Sequence, residues 1–243
     1  MKPADRLMEQ FPGSVIIAEL IAGSHMYGTS NENSDTDTRG IFIPPVENIL
    51  GMSRVDQFSY EPEDIKYYSL HYFMHLVVKG VMDAHDWLWA DSYIQKCPIF
   101  DTLVEHREKF LSSTMGKKIF GYMYSADRRI DRGDPATWGA KRKKLFHDHG
   151  YDTKDASHAV RLAYQGIRLY DEGVFYPKLP ETQIEEVMSI KRGEFTIGYV
   201  REKVQTLKEK FNEAMDRNKA GISQKPDTKF ANQLLIDTYR QFV

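Results

Sequence analysis

At 243 residues the chain can hold one large domain or two small ones, and it can bury a substantial core. Apolar residues at 41% and charged residues at 28% are the balance of an ordinary soluble globular protein. A net charge of −2 excludes a global field toward nucleic acid or membrane, so any polyanion must be held by a local patch. Cys97, the sole cysteine, rules out an internal disulfide and fits a reducing compartment. No apolar run approaches the roughly 18 residues that span a bilayer. The opening MKPADRLMEQFPG lacks a hydrophobic signal core, so a cytoplasmic location, without membrane, is expected.

Residues 4 to 10 read as a short helix stopped by Pro12-Gly13. The β-branched run from Ser14 to Ile21 reads as a strand, or as the end of a buried helix. A second apolar run, Gly40 to Ile43, stops at Pro44-Pro45, and a turn-rich connection follows to Gly51. RVDQFSY, residues 54 to 60, and Asp64 to Tyr68 have strand composition, interrupted by Glu61-Pro62. Ser69 is placed to cap a helix carrying Leu70, Phe73, Leu76 and Val77, closing at Gly80. A short helix at 84 to 90 comes next.

From residue 101 the pattern turns helical: 102 to 111, 117 to 130, 153 to 172 with Gly173 as its stop, the run Val200 to Met215, and 229 to 242. This predicts an α+β chain: a catalytic domain over 1–100 with a mixed sheet, and a helical domain over 101–243 that completes a nucleotide and acceptor cleft.

Chemistry concentrates between the first two strands, in GSHMYGTSNENSDTDTRG, residues 23 to 40. In an extended segment Asp35 and Asp37 point to one face roughly 7 Å apart, so both can reach one metal cluster. Gly23-Ser24 offers unhindered N–H groups and a hydroxyl suited to a phosphate oxygen. Together they suggest a metal-bound nucleotide phosphate. An EF-hand is excluded, because Arg39 and Val46 stand where oxygen ligands should be. A plain surface turn over Asn31 to Asp37 is the bland alternative.

Gly23-Ser24 followed by Ser34-Asp35-Thr36-Asp37 resembles the GS…DxD signature of the DNA polymerase β superfamily of nucleotidyltransferases. The longer forms Gly-Ser-His-Met-Tyr-Gly and Ser-Asp-Thr-Asp-Thr-Arg-Gly are similar to its RlaP-like bacterial and phage branch. Ile49-Leu50-Gly51, DIKYYSL from Asp64, Lys79-Gly80 and Lys154-x-x-x-His158-x-x-Arg161 continue the likeness over most of the chain.

The resemblance implies a polymerase-β-type fold in the first domain. It also implies Mg²⁺ (or Mn²⁺) bridged by Asp35 and Asp37, with a third carboxylate at Asp64, or at its neighbour Glu63. Ser24 would hold the β- or γ-phosphate of an NTP, ATP first, with Gly23, Tyr27 and Gly28 shaping the loop. Arg39 would pair with a carboxylate or a phosphate. Lys154, His158, Arg161 and Gln165 form one polar stripe, which is a solvated face or, by the resemblance, the wall that meets triphosphate or acceptor.

Arg128, Arg129, Arg132, Lys141, Arg142, Lys143 and Lys144, interleaved with Tyr122, Tyr124 and Trp138, form the place for an RNA backbone, the alternative being a solvated helix face. The expected activity is transfer of NMP from an NTP to a hydroxyl, with an RNA (tRNA) end as first acceptor. Protein nucleotidylation is the runner-up. A non-catalytic nucleotide-binding or phage host-interaction protein is the non-enzymatic alternative. His71 and His75, and His147 and His149, are read as surface or cap residues rather than zinc ligands.

Overall fold

A computed structural model of the chain describes residues 2–32, 34–132 and 138–242. The chain begins with α1 (Pro3–Gln10), β1 (Val15–Ile21), α2 (Gly23–Tyr27), β2 (Thr38–Ile43), α3 (Val46–Leu50) and β3 (Gln57–Tyr60). A one-turn 3₁₀ helix (Glu61–Glu63), β4 (Ile65–Ser69), α4 (Leu70–Val78), α5 (Met82–Leu88), β5 (Gln95–Lys96) and α6 (Pro98–Glu105) follow. Five helices come next: α7 (Ser113–Arg132), α8 (Ala140–His149), α9 (Thr153–Glu172), α10 (Glu181–Arg192) and α11 (Ile197–Arg217), and then α12 (Thr228–Tyr239). The α+β expectation holds. No described helix is long and apolar enough to cross a membrane.

The residues divide into two units, one running to Leu111 and resuming at Lys225, the other Ser112–Gln224. This differs from a split near residue 100, because residues 101–111 and the last helix belong with the sheet. α12 packs on α4, the Tyr239 hydroxyl accepts the His71 N–H at 3.0 Å, and the Asp227 N–H donates to the Lys109 carbonyl at 2.9 Å.

In the first unit the sheet order is β3-β4-β2-β1-β5. β2 and β4 are parallel, with Thr38 opposite Ile65; the other pairings are antiparallel. One face carries Phe42, Phe58, Ile65 and Tyr67 against Leu7 of α1. α4 packs on β2 and β4, and the Trp87 ring of α5 stacks on Tyr68 at 5.1 Å and on Phe73 at 5.7 Å. Each such fully buried Leu or Phe stabilises by about 1.5–3 kcal/mol, which is what fixes the register of these short strands. Ser69 caps α4 as its sequence position predicts, accepting from the Tyr72 N–H at 3.3 Å.

In the second unit α9 is the central element and packs against α7, α10 and α11. It starts at Asp152, whose carboxylate accepts from the Asp155 N–H at 3.0 Å, and stops at left-handed Gly173, φ +73°. Two of the helices carry little sequence signal. α8, AKRKKLFHDH, has no apolar stripe, and α10 buries only Val187, Ser189 and Ile190.

Candidate active site

Residues 37 and 64 each stand one step before a strand. Because β2 and β4 run in parallel with Thr38 beside Ile65, the two open on the same edge of the sheet. Asp64 is not the first residue of an extended segment, as its sequence suggests. It closes the 3₁₀ turn in a left-handed conformation, φ 45° and ψ 48°, with its N–H donating to the Glu61 carbonyl at 3.2 Å. Asp is among the few side chains that accept this geometry readily.

That twist brings its carboxylate into hydrogen-bond contact with Asp37. Burial, the Asp64 carboxylate and the charge of Asp35 push the Asp37 carboxyl up to about 6 against the pull of Arg39. The bond from Asp37, helped by Arg39, holds Asp64 below its ordinary value. The two carboxylates crowd negative charge at the strand ends, with Asp35 adding to it.

Arg39 is the counter-charge in place. Its guanidinium lies 2.9 Å from the Asp64 carboxylate and 3.7 Å from that of Asp37, and it donates to the Asp64 carbonyl at 2.5 Å and the Thr38 carbonyl at 3.0 Å. The sequence left open whether Arg39 meets carboxylate or phosphate; in the structure it meets carboxylates. Glu63, the other candidate for the third acid, points elsewhere and pairs with Arg6 of α1. Asp35 is exposed and reaches the pair as a charge rather than as a contact.

The glycine turn lies directly against these acids. The Ala22 N–H donates to the Asp37 carbonyl at 2.9 Å, and a Cβ on Gly23 would lie 1.9 Å from Asp37 Oδ2. With φ at +63°, Gly23 is required both by its backbone and by the carboxylate beside it. Ser24 is the second residue of α2, and its carbonyl accepts from the Thr29 N–H at 2.8 Å. Gly28 ends that turn in the left-handed region, φ +69°. Tyr27 donates its hydroxyl to Asp86 at 2.8 Å. Asp86 is fully buried.

The model of the RlaP family, described as an RNA repair pathway DNA polymerase beta family, matches residues 5–237. The chain belongs to this family. RlaP membership places it among DNA polymerase beta-like proteins. An uncharacterized 38.9 kDa protein in the nrdC-mobD intergenic region of Enterobacteria phage T4 is 31% identical over 138 residues. The alignment covers 51% of this chain and 38% of the phage protein.

The donor chemistry fits a hard divalent cation. Among the described residues no three His, Cys, Asp or Glu side chains are gathered tightly enough to hold a metal by themselves. Mg²⁺ does not need them, since it is usually bound by one or two carboxylates, waters and substrate phosphates. Asp37 and Asp64 supply the two.

The other RlaP residues lie on α9 in the second unit. Lys154 is exposed, whereas Arg161 is 3% exposed and Gln165 1%, so the stripe is not a solvated face. Arg161 donates to Gln165 Oε1 at 2.5 Å and to His158 Nδ1 at 2.9 Å, and Gln165 donates to the Tyr176 carbonyl at 3.1 Å. Burial and the Arg161 charge push His158 down to about 3, so Nδ1 keeps the lone pair that the guanidinium needs.

The basic cluster divides. Arg129 grips Asp155 through two bonds, at 2.8 and 2.9 Å, and Arg142 pairs with Asp152. Tyr122 donates to Asp155 at 2.8 Å. Burial alone would raise Asp155; these bonds more than offset it and leave the carboxyl below its usual range. Arg128, Lys143 and Lys144 are exposed, and the side chains of Arg132 and Lys141 lie outside the described residues.

Sequence reasoning missed Glu19, which is 4% exposed in β1 and accepts from the Tyr67 hydroxyl at 2.5 Å and Gln95 Nε2 at 3.3 Å. Its signal was available: one carboxylate inside the otherwise apolar strand VIIAELI.

Proposed function

We propose that the chain transfers a nucleoside monophosphate from an NTP, ATP first, to a hydroxyl group in a reaction that requires Mg²⁺ or Mn²⁺, and that the acceptor is an RNA end. The observation that carries this reading is the Asp37–Asp64 pair, short of positive charge and touching the Gly23 turn. A divalent ion held there would neutralise charge on the phosphate oxygens as the bond to the departing pyrophosphate breaks. Gly23 leaves room for the Asp37 carboxylate against the turn, and Ser24 offers a phosphate its hydroxyl. Arg39 fixes the Asp64 carboxylate toward the site. The acceptor oxygen attacks the α-phosphorus, its proton passes to Asp64 and then to water, and pyrophosphate leaves. Asp35, exposed on the loop before β2, would be a further carboxylate available to that cation.

Incubation of the chain with NTPs labelled at the α-phosphate, Mg²⁺, total RNA and protein tests this. Label that resists protease and is lost to nuclease is the expected result. Label lost to protease and kept after nuclease would replace RNA with a protein acceptor. Nucleotide-induced stabilisation with no pyrophosphate release would leave a binding protein.

A further inference from the structure

Of the seven basic residues singled out in the sequence, Arg129 and Arg142 are committed to Asp155 and Asp152, whereas Arg128, Lys143 and Lys144 are exposed. The adjoining face of α7 is different. Its exposed residues among those whose side chains are described are Lys117, Lys118, Gly121, Tyr124, Ser125 and Arg128, a stripe at helical spacing with no acid among them. Asp127 is the one acid between residues 113 and 130, and it is bound to Lys208 of α11 at 2.7 Å.

The Tyr124 ring is 51% exposed. The Arg128 guanidinium lies 5.9 Å and the Lys208 ammonium 5.3 Å from its centre. Cations within about 6 Å of the centre steady the ring, and half of its surface still faces solvent. One turn earlier stands Gly121. Gly116 on the same helix is needed, because a Cβ there would lie 2.1 Å from the Tyr170 hydroxyl; at Gly121 a Cβ would meet nothing within 4 Å. A glycine in the middle of an exposed helix weakens it. With no packing reason for its presence, its effect is to let something approach the helix backbone between the lysines and the tyrosine.

We propose that this face of α7 is a track for single-stranded RNA: a base stacks on Tyr124, and Lys117, Lys118 and Arg128 contact phosphates as the strand crosses Gly121. The inference rests on the RNA-acceptor reading and gives that acceptor a place and a form. Charge complementarity with an exposed ring selects an unpaired strand, because a duplex has no base face to offer.

The test is fluorescence anisotropy of the full chain with a labelled, unstructured RNA of about a dozen nucleotides, and with its duplex, across a salt series. The expected results are preference for the single strand and about tenfold weaker binding for Tyr124→Ala. The triple variant Lys117→Gln/Lys118→Gln/Arg128→Gln should have a salt slope shallower by about 2. Gly121→Leu should melt no lower than the parent yet bind about tenfold more weakly, a combination that a purely structural glycine would not give. Lys229→Gln, exposed on α12, controls for net charge and should bind as the parent does.

Parental affinity in the Tyr124, Gly121 and triple variants, or equal affinity for the duplex, overturns the track. The binding readout needs no turnover, so RNA held here with no label transferred to it would refute the proposed reaction and leave the track standing. Label transferred to RNA at the parental rate by all three variants would do the reverse.

Discussion

Gly23 and Asp37 are in contact because the chain leaves β1 with a left-handed glycine and returns to β2 through the acid. Gly23→Ala puts a methyl group 1.9 Å from Asp37 Oδ2 at a φ of +63°. The carboxylate must swing off Asp64, and the backbone strain adds about 1–2 kcal/mol. The expected outcome is a lower urea midpoint and loss of the Mg²⁺-induced rise in melting temperature that the parent should show. His158 is the other residue whose chemistry predicts a measurement. Its folded value of about 3 lies below the ordinary 6.5, so the unfolded chain takes up a proton that the folded chain refuses. The stability tied to this group is therefore complete above pH 6.5 and is lost as pH falls toward 3. Between pH 6.5 and 5 the loss is about 2 kcal/mol. His158→Asn keeps an acceptor for Arg161 without the titration. Urea unfolding at both pH values should show the variant losing about 2 kcal/mol less than the parent; equal losses would contradict a buried neutral imidazole.

Among the elements, α9 depends on a close approach that sequence periodicity does not display. A Cβ on Gly166 would stand 2.6 Å from the Phe211 ring of α11, and Phe211 is fully buried. Gly166→Val should lower unfolding free energy by about 1–3 kcal/mol, read by urea denaturation, as overpacked cores do. The elements with strong periodicity were legible: α4 with its Ser69 cap, α9 with its Gly173 stop, and the β-branched strand β1. α8 was not, because AKRKKLFHDH presents no apolar face and depends instead on the Arg142–Asp152 pair just beyond its end. β5 escaped notice because two residues paired to the edge of β1 leave no pattern.

For the whole molecule, the motif residues were legible and their geometry only partly so. The DxD and glycine elements were readable because their residue types are chemically unusual between two apolar strands. The choice between Asp64 and Glu63 was not, since a period-two reading presumes a strand where the chain makes a 3₁₀ turn. That turn sends Glu63 to Arg6 and Asp64 to Asp37. The burial of Arg161 and Gln165 was hidden for a related reason: polar residues at helical spacing look the same facing water or facing one another. The last helix joined the sheet unit because chain order does not determine which apolar face covers α4.

The acid pair at the parallel strand ends is proposed to hold the catalytic cation. Mg²⁺-dependent transfer of α-labelled nucleotide, measured side by side for the parent, Asp64→Asn and Glu63→Gln, is the test. Asp64→Asn is expected to lose at least about a hundredfold in rate while Glu63→Gln stays within about threefold of the parent. Parental transfer by Asp64→Asn, or a collapse confined to Glu63→Gln, would contradict it.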